Sequence, residues 1–179
     1  MQPLPPIYSF PPLYTRQPNS IIRNQQLNAW IDLILQYARE NKCWTMAKTG
    51  TSTADPKFNI FHNESIQRSV SPMFIDEIWA LMIKQSKAIV NNDNNNNYFI
   101  LWQNIDSWAS LILQWFEDSN KLNQVVTIYE LSQGDETINW EFHQMPEPLL
   151  ILALKPLCKR NRATMLKDED GAPIAIKVI

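Results

Sequence analysis

The chain has 179 residues, of which 45% are hydrophobic and 19% charged, and its formal net charge is −2. A slightly acidic chain lacks the basic footprint of a protein built to grip a polyanion, so generic nucleic-acid binding is disfavoured. No apolar run is long enough for a membrane span, the start lacks the pattern of a signal peptide, and none of the three glycines sits in a phosphate-cradling motif.

Residues 1 to 18 hold half of the twelve prolines and no acidic residue. Proline removes backbone donors and favours an extended, polyproline-like path, so the tract is predicted as a stiff, non-helical arm. A short element occurs in it twice, as Pro5-Pro6-Ile7-Tyr8 and Pro11-Pro12-Leu13-Tyr14. Prolines limit the entropy lost on docking and leave the aliphatic and tyrosine side chains free for pockets. The arm therefore reads as a partner-binding segment, with a tail folded back on its own domain as the alternative.

Asn19 or Ser20 caps a predicted helix through Leu27, Trp30, Ile31, Ile34 and Tyr37, and Cys43 to Met46 reads as a strand. A loop from Gly50 to Asn59 and a helix around Glu64 to Val70 are expected next. Ser71-Pro72 then opens a helix with the stripe Ile75, Ile78, Trp79, Met82 and Ile83. Two strands, Ala88 to Val90 and Tyr98 to Trp102, flank an asparagine tract at 91–97 that reads as a hairpin tip.

The second half repeats this order. Trp108 to Phe116 reproduces the pattern of Trp30 to Tyr37: a tryptophan, two free positions, Leu-Ile-Leu-Gln, then an aromatic. Its stripe of Trp108, Leu111, Ile112, Trp115 and Phe116 has the helical period. A strand at Val125 to Thr127, a short helix at Ile128 to Gln133, a helix from Pro146 to Asn161 and strands at Ala163 to Leu166 and Ile174 to Ile179 follow. Ile75, Trp79, Met82 and Lys87 align with Leu150, Leu154, Leu157 and Arg162. Pro156 fits awkwardly and is expected to bend that helix or begin a new turn. The predicted fold is α+β, mostly α: an arm at 1–18 and two tandem winged-helix domains at 19–102 and 103–179.

Chemistry is sparse. His62, His143, Cys43 and Cys158 match no zinc spacing, so no metal is expected, and no cofactor either. The two cysteines read as structural thiols of a reducing compartment. Asp135, Glu136, Glu141 and Glu147 read as solvated loop carboxylates, and nothing indicates an enzyme. As recognition helices for DNA, the one at 72–87 is nearly neutral. The other ends in Lys155, Lys159, Arg160 and Arg162, which either hold an acidic partner or complement the helix dipole.

The segments Pro11 to Asn19, Trp108 to Phe116, Thr127-Ile128-Tyr129-Glu130-Leu131, Gly134 to Thr137 and Trp140-Glu141-Phe142-His143 together resemble the vacuolar protein sorting-associated protein 25 family. These are the small subunits of the endosomal sorting complex ESCRT-II, and the chain looks like a yeast member. The resemblance implies tandem winged helices, two copies per complex, and docking of the arm (Pro5, Pro6, Ile7, Tyr8, Pro11, Pro12, Leu13, Tyr14) onto two larger ESCRT-II subunits. It also implies that the second winged helix recruits an ESCRT-III subunit for multivesicular-body sorting of ubiquitinated cargo. Two surfaces are candidates for that contact: the cations Lys155, Lys159, Arg160 and Arg162, or the apolar stretch carrying Val125, Thr127 and Tyr129. The implied location is cytoplasmic, with recruitment to the endosome membrane through the complex. Two other readings stay open: a winged-helix DNA-binding regulator, and an adaptor whose Pro-Pro-x-Tyr pairs are WW-domain ligands.

Overall fold

A computed structural model describes residues 2–179. The chain divides into two compact units, one ending at Trp102 and the other running Gln103–Ile179.

In the first unit, helix α1 (Ser20–Asn41) starts where the Asn19 side chain accepts the Ile21 and Ile22 amides, closing orphan donors of the first turn. Its buried stripe contains Leu27, Trp30, Ile31, Ile34 and Tyr37, as the sequence period requires. Strand β1 (Thr45–Ala47) follows, then a two-residue ladder of β2 (His62–Asn63) and β3 (Arg68–Ser69). Helix α2 (Pro72–Lys84) is capped by Ser71 and carries Pro72 in its first turn. Strands β4 (Ala88–Val90) and β5 (Asn97–Ile100) complete an antiparallel sheet of order β1-β5-β4. The second unit contains α3 (Ile105–Asp118), β6 (Val125–Thr127), α4 (Ile128–Gln133), α5 (Glu147–Lys159), β7 (Ala163–Lys167) and β8 (Pro173–Val178). Its sheet has the order β6-β8-β7. Helix, strand, two helices and a hairpin whose last strand lies centrally make a winged helix.

The repeat persists at the helix ends. Lys42 (φ 50°) and Asn120 (φ 55°) end α1 and α3 in left-handed conformation, as Ser86 (φ 58°) and Asn161 (φ 59°) do for α2 and α5. The amides that follow reach back alike: Cys43 to Ala38 at 2.8 Å, Lys121 to Phe116 at 2.9 Å, Lys87 to Met82 at 2.8 Å and Arg162 to Leu157 at 2.9 Å. Lys87 and Arg162 also accept the Leu101 and Ile179 amides through their carbonyls, fastening each hairpin to its helix.

Four local expectations change. Residues 64–70 form no helix; a short 3-10 turn at Glu64–Ile66 lies between β2 and β3, so the first unit is a winged helix with its middle helix reduced to a turn. Gln67 takes φ 49° immediately after that turn, which stops it from propagating. Ile83 is exposed, and Phe74 takes the expected inward place on α2. Helix α5 runs on through Pro156 to Lys159, because a proline in the last turn removes only one backbone bond. The arm, lastly, is not extended: it forms two 3-10 turns, Pro6–Ser9 and Pro11–Tyr14, each with proline at its first positions.

Candidate functional site

The two Pro-Pro-x-Tyr elements make the two 3-10 turns, and both tyrosines face the first domain. Leu13 and Tyr14 are each 3% exposed and belong to its core. Tyr8 and Tyr14 meet the Trp30 ring edge-on at 6.2 and 5.1 Å, and Trp30 in turn meets Phe61 at 5.5 Å. The fold-back alternative thus describes the tyrosines and Leu13; they do not stand free as pocket-filling side chains. The reason is local: two large aromatics, Trp30 of α1 and Phe61 of the 60–63 segment, offer the arm an apolar surface whose burial is favourable.

A polar clasp fixes the backbone of the turns. The Trp30 indole donates to the Leu13 carbonyl at 3.1 Å. Gln26, only 7% exposed, donates to the Pro12 and Thr15 carbonyls at 3.1 and 2.7 Å and accepts the Gln17 amide at 3.0 Å. Asn63 donates to the Tyr8 carbonyl at 3.0 Å and to the Tyr14 hydroxyl at 3.3 Å. Tyr14 donates to the Tyr8 carbonyl at 2.7 Å, and Tyr8 to the Ile60 carbonyl at 2.9 Å. Burial pushes the phenols of Tyr8 and Tyr14 above the usual tyrosine range, so both donate as neutral groups. At the arm's exit, Glu77 of α2 receives Arg16 and Arg23, and Arg23 also donates to the Gln17 and Pro18 carbonyls.

Folding the arm inward turns other side chains outward. Ile7 is 41% exposed, Phe10 56% and Ile22 48%. With Pro12, Gln25 and Ala29 they line an apolar groove of about 300 Å³ between the turns and the first half of α1. Phe10 and Ile22 carry no signal in the Pro-Pro-x-Tyr pattern. A clue was present all the same, because Ile21 and Ile22 are out of phase with the Leu27-Trp30-Ile31-Ile34 stripe and so cannot serve the same core. Met73 stands exposed on the first turn of α2, one turn before Glu77.

In the second domain, Thr127 caps α4 and Glu130 completes a reciprocal capping box. Alternation along β6 points Val126 inward and Val125 outward, and with Tyr129 in the first turn of the capped helix the two are 56% and 66% exposed. The cations fare differently. Arg160 pairs with Asp106 at 3.3 Å, and Arg162 with Glu117 at 3.8 Å and with the Ile179 carbonyl at 2.8 Å. Lys155 and Lys159 are exposed on α5.

The histidines fasten turns, His62 to the Ser69 hydroxyl and His143 to the Thr137 hydroxyl at 2.8 Å. Among the described residues no group of three or more His, Cys, Asp or Glu is placed to hold a metal ion, and no helix is long and apolar enough to cross a membrane.

Two winged-helix domains, each displaying apolar side chains outward at a place fixed by caps and clasps, define a tandem winged-helix protein built for assembly with other chains. Comparison with known proteins narrows the class. Residues 7–146 match the family described as ESCRT-II complex subunit. Vacuolar protein-sorting-associated protein 25 of Saccharomyces cerevisiae is 57% identical over 202 aligned positions that take in 100% of both chains. The fold superimposes on a crystal structure of subunit VPS25 of the endosomal trafficking complex ESCRT-II with a TM-score of 0.91 and 61% identity, covering 99% of this chain and 100% of that one. A structure of the endosomal complex ESCRT-II (VPS22/VPS25/VPS36) contains a chain matched at TM-score 0.86 and 59% identity, with 98% of each covered. The chain belongs to the ESCRT-II complex subunit family.

Proposed function

We propose that this chain is the small, non-catalytic subunit of an ESCRT-II complex, joined to the two larger subunits through the surface its folded arm creates. The observation that carries the reading is the groove bordered by Ile7, Phe10 and Ile22. An apolar surface next to a rigid clasp can be buried on association with little loss of conformational entropy. Within the arm the work is divided: Leu13, Tyr14 and Tyr8 hold the shape, while Ile7, Phe10, Pro11 and Pro12 touch the partner.

The second domain recruits an ESCRT-III subunit through Val125, Thr127 and Tyr129. The exposed aliphatic and aromatic pair supports this surface over Lys155, Lys159, Arg160 and Arg162, because Arg160 and Arg162 already satisfy acids of their own domain. Two copies in one complex raise the effective concentration of whatever they recruit, so cargo sorting into multivesicular bodies is served by geometry and not by turnover. The subunit works in the cytoplasm and reaches the endosome membrane through its complex.

Co-purification from yeast cells tests both surfaces. Ile7→Asp with Phe10→Asp is expected to lose the larger subunits, and Tyr129→Ala to keep them while losing the ESCRT-III subunit. Full retention of the larger subunits by the first variant would overturn the groove assignment. Loss of the ESCRT-III subunit in Lys155→Glu with Lys159→Glu, but not in Tyr129→Ala, would move that contact to α5.

A further inference from the structure

The Pro-Pro-x-Tyr pair has a chemistry that the folded domain conceals. WW domains read such elements as an extended polyproline helix, with prolines laid on an aromatic groove and the tyrosine in a pocket of its own. Neither requirement is met here. Pro6–Ser9 and Pro11–Tyr14 are 3-10 turns, Tyr14 is 3% exposed, and both hydroxyls donate to carbonyls of the domain or of the arm.

We propose that residues 5–14 are a masked tandem ligand for WW domains, hidden while the clasp of Trp30, Gln26 and Asn63 is closed and presented when the arm peels away. Both copies are masked at their tyrosines, Tyr14 by burial and the half-buried Tyr8 by its bond to the Ile60 carbonyl, and the two are tied together through the Tyr14 hydroxyl on the Tyr8 carbonyl. Release needs no movement of α1, because the arm precedes the Asn19 cap and is held by the Gln26 and Trp30 side chains of α1, by Asn63 and the Ile60 carbonyl, and at its exit by the ion pair of Arg16 with Glu77. Segments held by a few side-chain bonds outside the main helices open locally at lower free energy than the whole domain. Once free, the prolines that start each turn favour the polyproline conformation, so the released arm returns to the shape a WW domain grips. The structure thereby links the folded state of the first domain to visibility of the motif: an intact domain is silent, and a chain that has lost its clasp displays two copies in tandem.

The test titrates a recombinant Pro-Pro-x-Tyr-binding WW domain against three species: a synthetic peptide of residues 2–16, the intact chain, and the intact chain with Gln26→Ala and Asn63→Ala. Only the open fraction of molecules binds, so the intact chain is expected to bind at least about 100-fold more weakly than the peptide. The clasp variant is expected to recover to within about tenfold of the peptide, and Tyr8→Ala with Tyr14→Ala added to it to abolish binding. Should the clasp variant lose its whole fold, the arm is released as well and capture is still expected, so misfolding does not spoil the experiment. Hydrogen exchange at the Leu13 and Thr15 amides reports release independently. Equal affinity of intact chain and peptide, no binding by the peptide, or no gain in a variant whose arm exchanges freely would each overturn the proposal.

Discussion

Leu13 and Phe10 lie three residues apart in the same arm and are expected to fail in opposite ways. Leu13 is 3% exposed and its carbonyl accepts the Trp30 indole, so Leu13→Ala removes buried methyl groups and leaves a void beside that ring. Buried Leu→Ala changes cost roughly 2 to 5 kcal/mol, and this site sits at the low end, because a short 3-10 turn can settle partly into the space. A loss of about 2 to 3 kcal/mol in the first domain follows. Phe10 is 56% exposed, and Phe10→Ala is expected to stay within about 0.5 kcal/mol of the parent in stability. It should lower affinity for the larger subunits by about 2 kcal/mol, as removal of an interface aromatic does. Native-state hydrogen exchange of α2 and β5 amides measures the stability change for each variant, and calorimetric titration with the larger subunits measures affinity. The division of labour within the arm is refuted if Leu13→Ala leaves protection unchanged, or if Phe10→Ala costs as much stability as Leu13→Ala.

Three further outcomes follow from local geometry. Burial raises the phenol pKa of Tyr8, Tyr14 and Tyr37 in the folded chain above the roughly 10 of an unfolded one, so the folded state keeps protons that the unfolded state releases. Stability is therefore full below about pH 10 and falls as pH rises beyond it; urea midpoints that stay flat from pH 9 to 11 would contradict this, and Tyr8→Phe with Tyr14→Phe should flatten the slope. Thr127→Ala breaks the capping box of α4 and is expected to cost about 1 kcal/mol, whereas Thr127→Ser should keep the cap, both read from chemical denaturation of the second domain. Gly50 holds φ +99°, and a Cβ there would collide with the Phe61 ring and the Asn59 side chain, so Gly50→Ala should destabilise the first domain by more than about 1 kcal/mol by the same assay.

Where several local signals agree, the fold is legible in the sequence. Trp30 and Trp108 open the same helical stripe, and the structure buries both completely. Ser71 before Pro72 starts α2 where capping chemistry puts it. The failures have physical causes of a different kind. Glu64 to Val70 has a plausible helical pattern, yet Gln67 adopts a left-handed conformation and the flanks pair as β2 and β3, a tertiary choice that composition cannot express. The intrinsic preference of proline, which governs an isolated peptide, points Pro-Pro-x-Tyr to an extended path; in the chain, Trp30 and Phe61 supply a surface that outweighs it.

That reversal reaches the candidate site itself. Proline motifs draw attention to the residues inside them, and the structure spends the conspicuous ones, Tyr8, Leu13 and Tyr14, on the domain's own packing. What stays outward is Ile7 inside the first motif together with Phe10 and Ile22 outside both, which share no spacing and come together only after the arm has folded. The same inward turn explains why a partner can meet a rigid surface here. Eight hydrogen bonds from Tyr8, Tyr14, Trp30, Gln26 and Asn63, including the one Gln26 accepts, fix the turns before any contact is made. On the proposed docking, ordering cost is met on folding rather than on binding, and affinity at the groove is expected to depend on the clasp as much as on the residues a partner touches. Gln26 is buried among the residues that line the groove and bonds the backbone of the turns, so Gln26→Ala is expected to weaken the larger subunits' grip by about tenfold, a loss of roughly 1.4 kcal/mol. Unchanged affinity in that variant, measured by calorimetric titration, would mean that the arm is shaped by its partner and not by its own domain.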